Sequence, residues 1–259
     1  MDYPGSIIGG FLPAHTFPRV NLLAFDTSTE AMSIAVARGG EPAIEFLGEG
    51  GAKASAALIP QVLSLLMQAD LALDELDAIV FGCGPGSFTG LRTACSVAQG
   101  LAMGAGLPVL PVETLMAVAE EARRLVGGTD VLALLDARMD QVYSARYRWD
   151  GALWQRDGGI ALVAPEAVEL PSDCRLAGNV FATYGHRMPL GDRQAIVTVP
   201  MAAALLRLAP AMIEAGLALP AEQALPLYVR DKVAQTTAER EAARAASAAA
   251  PVSQARITP

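Results

Sequence analysis

The sequence predicts an α/β protein of two related lobes, each a mixed sheet flanked by helices. Three observations carry this. Apolar runs of strand length alternate with longer amphipathic runs in the order three strands, helix, strand, helix, strand, helix, which builds a sheet covered by helices. A strand, a turn of glycines and hydroxyls and a helix follow one another without a break between Ala78 and Met103. An apolar strand ending in aspartate occurs twice, at Asp26 and at Asp136, so the second half repeats the theme of the first.

Residues 1–19 are rich in Gly and Pro and read as an irregular extension. The first lobe is expected over 20–126. Asn21 to Phe25 and Met32 to Ala37 read as strands, which puts Asp26-Thr27-Ser28-Thr29 in a hairpin turn. That cluster is either an Asx or hydroxyl turn or a place to hold a phosphate. Ala43 to Leu47 is a third strand. Ser55 to Ala69 carries Leu58, Ile59, Val62, Leu65 and Leu66 at helical spacing with Pro60 early in it.

Ala78 to Phe81 then enters the glycine turn. Gly82, Gly84 and Gly86 permit backbone angles that side chains forbid, and Pro85 stiffens the turn. Ser87 or Thr89 is placed to cap the helix Leu91 to Met103. Free N–H groups at such a helix start suit an anion. The named phosphate and nucleophile motifs nevertheless fail: a dinucleotide fingerprint needs glycine where Ser87 stands, a P-loop needs a lysine, and a nucleophile elbow needs glycines at Pro85 and Thr89. A tight turn for close packing is the alternative to ligand binding. Along the helix, Gly90, Ala94, Ala98 and Ala102 fall four apart as a stripe of small side chains. The stripe serves either the chain's own core or a helix–helix interface.

Pro108 to Val112 is a strand and Thr114 to Leu125 a helix, after which Gly127-Gly128 reads as a hinge into a second lobe over 127–236. Val131 to Leu135 is a strand ending in Asp136-Ala137-Arg138, and Val142 to Arg148 alternates with Tyr143 and Tyr147 on one face. Further short strands are expected near Ala152 to Gln155, Gly159 to Leu162, Arg175 to Ala177 and Ala195 to Val199. Met201 to Ala215 is a helix that Pro210 should kink or split. Pro226 to Arg230 is a short rigid segment, and 237–259 is an Ala-rich tail.

The 259 residues carry a formal net charge of −8, which argues against this chain gripping a nucleic-acid backbone by itself. Cys83, Cys95 and Cys174 are scattered, with neither a disulfide framework nor zinc spacing, which points to a reducing cytoplasm. His15 and His186 have no helically spaced partner, so no metal site is expected. No apolar run approaches the roughly 18 residues of a membrane span.

Taken together, Asp26-Thr27-Ser28 with Ser33, the run from Gly84 to Arg92, Asp136-Ala137-Arg138 with Val142-Tyr143, and Pro226-x-Tyr228-x-Arg230 resemble the TsaB (YeaZ) family. The resemblance runs from about Asn21 to Val233. It implies the two-lobed fold of actin, Hsp70, sugar kinases and ribonuclease H. It further implies a non-catalytic partner of TsaD, which transfers threonylcarbamoyl to adenosine 37 of tRNAs reading ANN codons, with TsaE docking on the pair and TsaC or Sua5 acting upstream. On this reading tRNA is met through the complex, and isolated chains are expected to pair with each other. No tightly bound cofactor is expected, with ATP, ADP or threonylcarbamoyl-adenylate only at the complex. The partner interface falls on Leu58, Val62, Gly90, Ala94, Ala98 and Ala102, so a bulky ring at Ala98 is expected to block pairing without unfolding the chain. Phosphate-facing positions are Asp26, Thr27, Ser28, Gly84, Gly86, Ser87, Thr89 and Arg92. The alternative is a stand-alone ATP-dependent enzyme of the same superfamily. One departure from the family pattern is Ala54 before Ser55, where a histidine is common.

Overall fold

A computed structural model describes residues 20–230, so the extension over 1–19 and the tail over 237–259 lie outside the described residues. The first sheet has the order β3-β2-β1-β4-β5, from β1 (Leu22–Asp26), β2 (Ala31–Ala37), β3 (Ile44–Glu49), β4 (Ala78–Gly84) and β5 (Val109–Glu113). The second has the order β8-β7-β6-β9-β10, from β6 (Asp130–Arg138), β7 (Gln141–Trp149), β8 (Trp154–Val163), β9 (Arg175–Gly178) and β10 (Ala195–Val197). In each, the first strand pairs antiparallel with the second and parallel with the fourth. The repeat read from the two aspartates is thus a repeat of topology.

Among the described residues five helices cover the sheets: α1 (Ala54–Gln68), α2 (Phe88–Ala105), α3 (Thr114–Val126), the short α4 (Phe181–Tyr184) and α5 (Ala202–Glu214). Period-two alternation sorts the first sheet's side chains to two faces. Leu23, Phe25, Ile34, Val36, Ile79 and Phe81 meet α1 and α2. Leu22, Ala24, Ala35, Ala37, Ala78 and Val80 face the other way, and four of these six are alanine. Their small size lets α5 lie close against β1, β2 and β4.

The helix expected in the second lobe therefore packs on the first sheet, while α3 packs on β6, β7 and β9 of the second. The two helices form a shared middle layer, and a single apolar cluster runs through it from one sheet to the other. Polar groups join them too. Arg207 of α5 binds Glu120 Oε1 at 3.0 Å and also Glu121, both on α3, and Trp154 Nε1 donates to Glu120 Oε2 at 3.1 Å.

Two expectations need correction, and one short helix has no counterpart among them. The strands expected near Ala152 and Gly159 are one strand, β8, because the Gly158-Gly159 pair is taken up by a register shift opposite Ser144 and Arg146 and does not interrupt the pairing. Pro210 does not split α5: the helix runs through it, held by the buried face of Leu205, Leu206, Leu208, Ala209 and Met212. The four residues of α4 are too short to leave a periodic signal.

Candidate functional site

The first strand delivers Asp26 to the start of a hairpin, where its carboxylate organises the turn. Asp26 Oδ1 accepts from Ser28 N at 2.9 Å and from Ser28 Oγ at 2.6 Å. The turn then locks onto the glycine run. Thr27 Oγ1 donates to the Gly90 carbonyl at 2.7 Å, and Ser87 N donates to the Ser28 carbonyl at 2.7 Å. Ser87 also caps α2, its Oγ accepting from Gly90 N at 3.2 Å.

This clamp explains the glycines. A Cβ on Gly82 would fall 1.8 Å from Asp26 Oδ2, one on Gly86 2.6 Å from the Ser28 carbonyl oxygen, and one on Gly90 1.8 Å from the Thr27 carbonyl oxygen. Gly84, at φ +126°, lies instead beneath Leu227, whose N–H donates to the Cys83 carbonyl at 2.7 Å. The segment around Leu227 crosses the start of α2. There Arg92 Nε donates to Tyr228 Oη at 3.0 Å, the Arg92 guanidinium lies 3.6 Å over the Phe88 ring, and Phe88 stacks on Tyr228.

The phosphate-facing set is accordingly divided. Ser28, Gly86 and Ser87 line a cleft together with Thr29 and Glu30 from the first sheet's side and Asp136, Ala137, Arg138 and Asn179 from the second's. Asp26, Thr27, Gly84, Thr89 and Arg92 do not line it. The Ser87 N–H that the anion reading needs is already bonded to Ser28. An ion pair between Glu30 and Arg138 joins the two walls. The cleft holds about 50 Å³, room for a water or two rather than the roughly 300 Å³ of a ligand pocket.

Asp26 is fully buried, and its Oδ2 has no hydrogen-bond partner among the described residues. Burial pushes its carboxyl from 3.8 up to about 6, opposed by the two bonds from Ser28. Because the folded state holds this proton more tightly than the unfolded state, the carboxyl weighs against folding once the pH rises through that interval. Asp26→Asn is therefore expected to have little effect on unfolding free energy near pH 4 and to stabilise the chain by up to about 3 kcal/mol at pH 7. Urea unfolding at the two pH values checks this, and a difference independent of pH counts against it.

The interface set is also corrected. Leu58, Val62, Ala94, Ala98 and Ala102 are wholly buried in the chain's own core, and Gly90 is closed under Thr27. The stripe faces inward because small side chains let α2 lie close against β4. A tryptophan at Ala98 would therefore disrupt the fold itself. What α1 and α2 present outward is different: Ile59, Leu63 and Met67 on one, and Gly100, Met103 and Gly104 on the other. A Cβ on Gly100 or Gly104 would meet nothing within 4 Å. The i, i+4, i+8 spacing of Ile59, Leu63 and Met67 is visible in the sequence and marks this second apolar face of α1.

Ala54, where the family commonly has histidine, is fully buried at the first turn of α1. Among the described residues no group of three or more His, Cys, Asp or Glu side chains is placed to hold a metal ion. None of the described helices is long and apolar enough to cross a membrane.

Residues 51–253 match a family profile described as TsaD, tRNA N6-adenosine threonylcarbamoyltransferase. The tRNA threonylcarbamoyladenosine biosynthesis protein TsaB of Escherichia coli K12 is 35% identical over 224 residues, covering 83% of this chain and 96% of that protein. The protein of the same name from Haemophilus influenzae is 44% identical over 125 residues, covering 48% of this chain and 52% of its own. The solved structure of YeaZ from Pseudomonas aeruginosa aligns with a TM-score of 0.74 at 40% identity, covering 81% of this chain and all of that one. Sequence and fold agree, and the chain belongs to the TsaB (YeaZ) family within this TsaD-type group.

Proposed function

We propose that this chain is a non-catalytic partner of a TsaD subunit in forming N6-threonylcarbamoyladenosine at position 37 of tRNAs reading ANN codons, and that it pairs through the outward faces of α1 and α2. The observation that carries the pairing is the combination of exposed Ile59, Leu63 and Met103 with two open helical glycines, Gly100 and Gly104. A glycine inside a helix costs about 1 kcal/mol relative to alanine, and here nothing in the chain's own packing requires it. An approaching helix backbone does. The cleft of about 50 Å³ supports a chain that takes no nucleotide there by itself, whereas the stand-alone ATP-dependent reading requires room for one. The net charge of −8 supports leaving the tRNA to other subunits, with TsaE joining the pair and TsaC or Sua5 supplying threonylcarbamoyl-adenylate.

The test is threonylcarbamoyl transfer to an ANN-decoding tRNA by TsaC, TsaD and TsaE, with and without this chain. Modification that requires the chain, with none from the chain in the absence of TsaD, is the expected result. Equal modification without it overturns the reading. Gly100→Leu is expected to leave the melting temperature unchanged or higher while weakening association with TsaD by at least about tenfold, and Gly100→Ala to stabilise the isolated chain by about 0.5–1 kcal/mol. Sedimentation of the pair and thermal melts of the single chain check the two parts separately.

A further inference from the structure

On the second sheet the two faces of β7 have different neighbours. Tyr143, Ala145 and Tyr147 join the apolar layer that includes α3, so by period-two alternation Ser144 and Arg146 stand on the opposite face, level with Leu134 and Leu132 of β6. There the chain that follows β8 covers the sheet with Val168, Cys174, Val180 and Tyr184. Where this cover meets β7 and β8 a pocket of about 300 Å³ remains, at the lower end of the roughly 300–1,000 Å³ of small-ligand sites. A bulge widens the strand pair at this point, because Gly158, Gly159 and Ile160 of β8 stand opposite Ala145 alone. A Cβ on Gly159 would meet nothing within 4 Å.

The polar groups that line the pocket are only partly used. Ser144 is 8% exposed, and its hydroxyl makes no hydrogen bond among the described residues. A hydroxyl buried to that degree ordinarily has a partner. Arg146 Nε and Nη2 hold the Asp130 carboxylate at 2.7 Å each, and Nη2 reaches Asp173 at 2.9 Å. The guanidinium charge is thereby met, while its Nη1 makes no hydrogen bond among the described residues. Asp157 is matched by Arg148 at 2.9 Å, but Glu169 has no ion-pair partner among the described residues. What the pocket lacks is therefore one cation at Glu169 and one acceptor for Arg146 Nη1 and the Ser144 hydroxyl. Between these ends the lining is apolar, from Leu132, Val163 and Pro171.

We infer that this pocket binds a small zwitterion, an α-amino acid with an apolar side chain. Its ammonium meets Glu169, its carboxylate accepts from Arg146 Nη1 and the Ser144 hydroxyl, and its side chain lies against Leu132, Val163 and Pro171. A simple anion would meet Glu169 and Asp173 as like charges, and a simple cation would face the Arg146 guanidinium and leave the free donors unmet. The site lies on the second sheet and does not rest on the TsaD reading.

The experiment titrates the full, isotope-labelled chain with three probes and follows the backbone amides of Gly159 and Ala161 by NMR. L-leucine carries both charges, 4-methylpentanoate is the same skeleton without the ammonium, and 3-methylbutylammonium is the same skeleton without the carboxylate. L-leucine is expected to bind with a dissociation constant of about 1 mM, at least about tenfold more tightly than either of the others. Glu169→Gln, on the exposed rim, is expected to remove its advantage over 4-methylpentanoate, and Ser144→Ala to weaken it about fivefold. Ala161→Phe places a ring in the pocket from the exposed edge strand and is expected to abolish binding with the melting temperature held within about 2 °C. Gly100→Leu is expected to leave binding unchanged, which separates failure of this site from failure of the TsaD reading. Equal affinity for the three probes, no shift of either amide at about 20 mM L-leucine, or indifference to Glu169→Gln overturns the proposal.

Discussion

Arg207→Met is expected to destabilise the chain by about 3–5 kcal/mol, the largest loss from any single side-chain deletion considered in this protein. Arg207 lies between two carboxylates of α3, Glu120 and Glu121, which are 1% and 7% exposed. Each has a second cation within its own helix, Arg123 or Arg124, but those reach in from the surface and do not connect α3 to α5. Removing Arg207 leaves two buried charges short of a partner in the middle layer, where the apolar cluster passes from one sheet to the other. Burial already holds the neighbouring Glu45 carboxyl above its ordinary value, and Arg207 is the largest influence opposing that. The deficit should therefore shrink as the pH falls and the Glu45 carboxyl, which Arg207 no longer holds down, takes up its proton. Chemical denaturation of the variant at pH 7 and pH 5 reads both effects. Adding Glu120→Gln and Glu121→Gln should recover part of the loss, since neutral amides need no counter-charge. A loss below about 1 kcal/mol, or one independent of pH, would mean that the network carries no such role.

The second large effect belongs to Gly90→Ala, expected to cost about 3 kcal/mol or more. The added methyl would sit 1.8 Å from the Thr27 carbonyl oxygen, a backbone atom fixed by its own strand and turn. Relief requires α2 to move away from the hairpin. That movement breaks the bonds from Thr27 Oγ1 to the Gly90 carbonyl and from Ser87 N to the Ser28 carbonyl. The same substitution at Gly100 of the same helix should stabilise, because nothing lies within 4 Å of the new methyl. Melting curves of the two variants side by side give a difference of opposite sign. Equal small effects would show that the clamp is loose.

Much of the fold was legible because burial leaves periodic traces. The strand ending at Asp26 and the one ending at Asp136 could be paired by inspection, and their sheets have matching topology. The start of α2 was legible at Ser87, whose hydroxyl caps the helix. Gly158-Gly159 and Pro210 misled, since both break local rules that β7 pairing and α5 packing override.

The site was less legible. Asp26, Thr27 and Ser28 could be set beside the glycine turn only as two candidate phosphate motifs, because nothing in either stretch states that the partner of Thr27 is Gly90. The stripe of Gly90, Ala94, Ala98 and Ala102 was ambiguous for a related reason. Small side chains suit a close neighbour, whether that neighbour is the chain's own sheet or another protein's helix. Burial assigns it to the chain's own core, while Gly100 and Gly104 of the same helix face outward with nothing within 4 Å of an added Cβ.

Most local conformations, the doubled aspartate-ended strand and the family are readable from the residues alone, because these depend on residues near one another or on motifs matched in order. Tertiary structure alone decided which face of α2 is inward, that α5 crosses to the first sheet, and that the glycine turn is filled by Asp26, Thr27 and Ser28. Those outcomes are set by distances of a few ångströms between residues remote in the chain, and only the packed fold contains them.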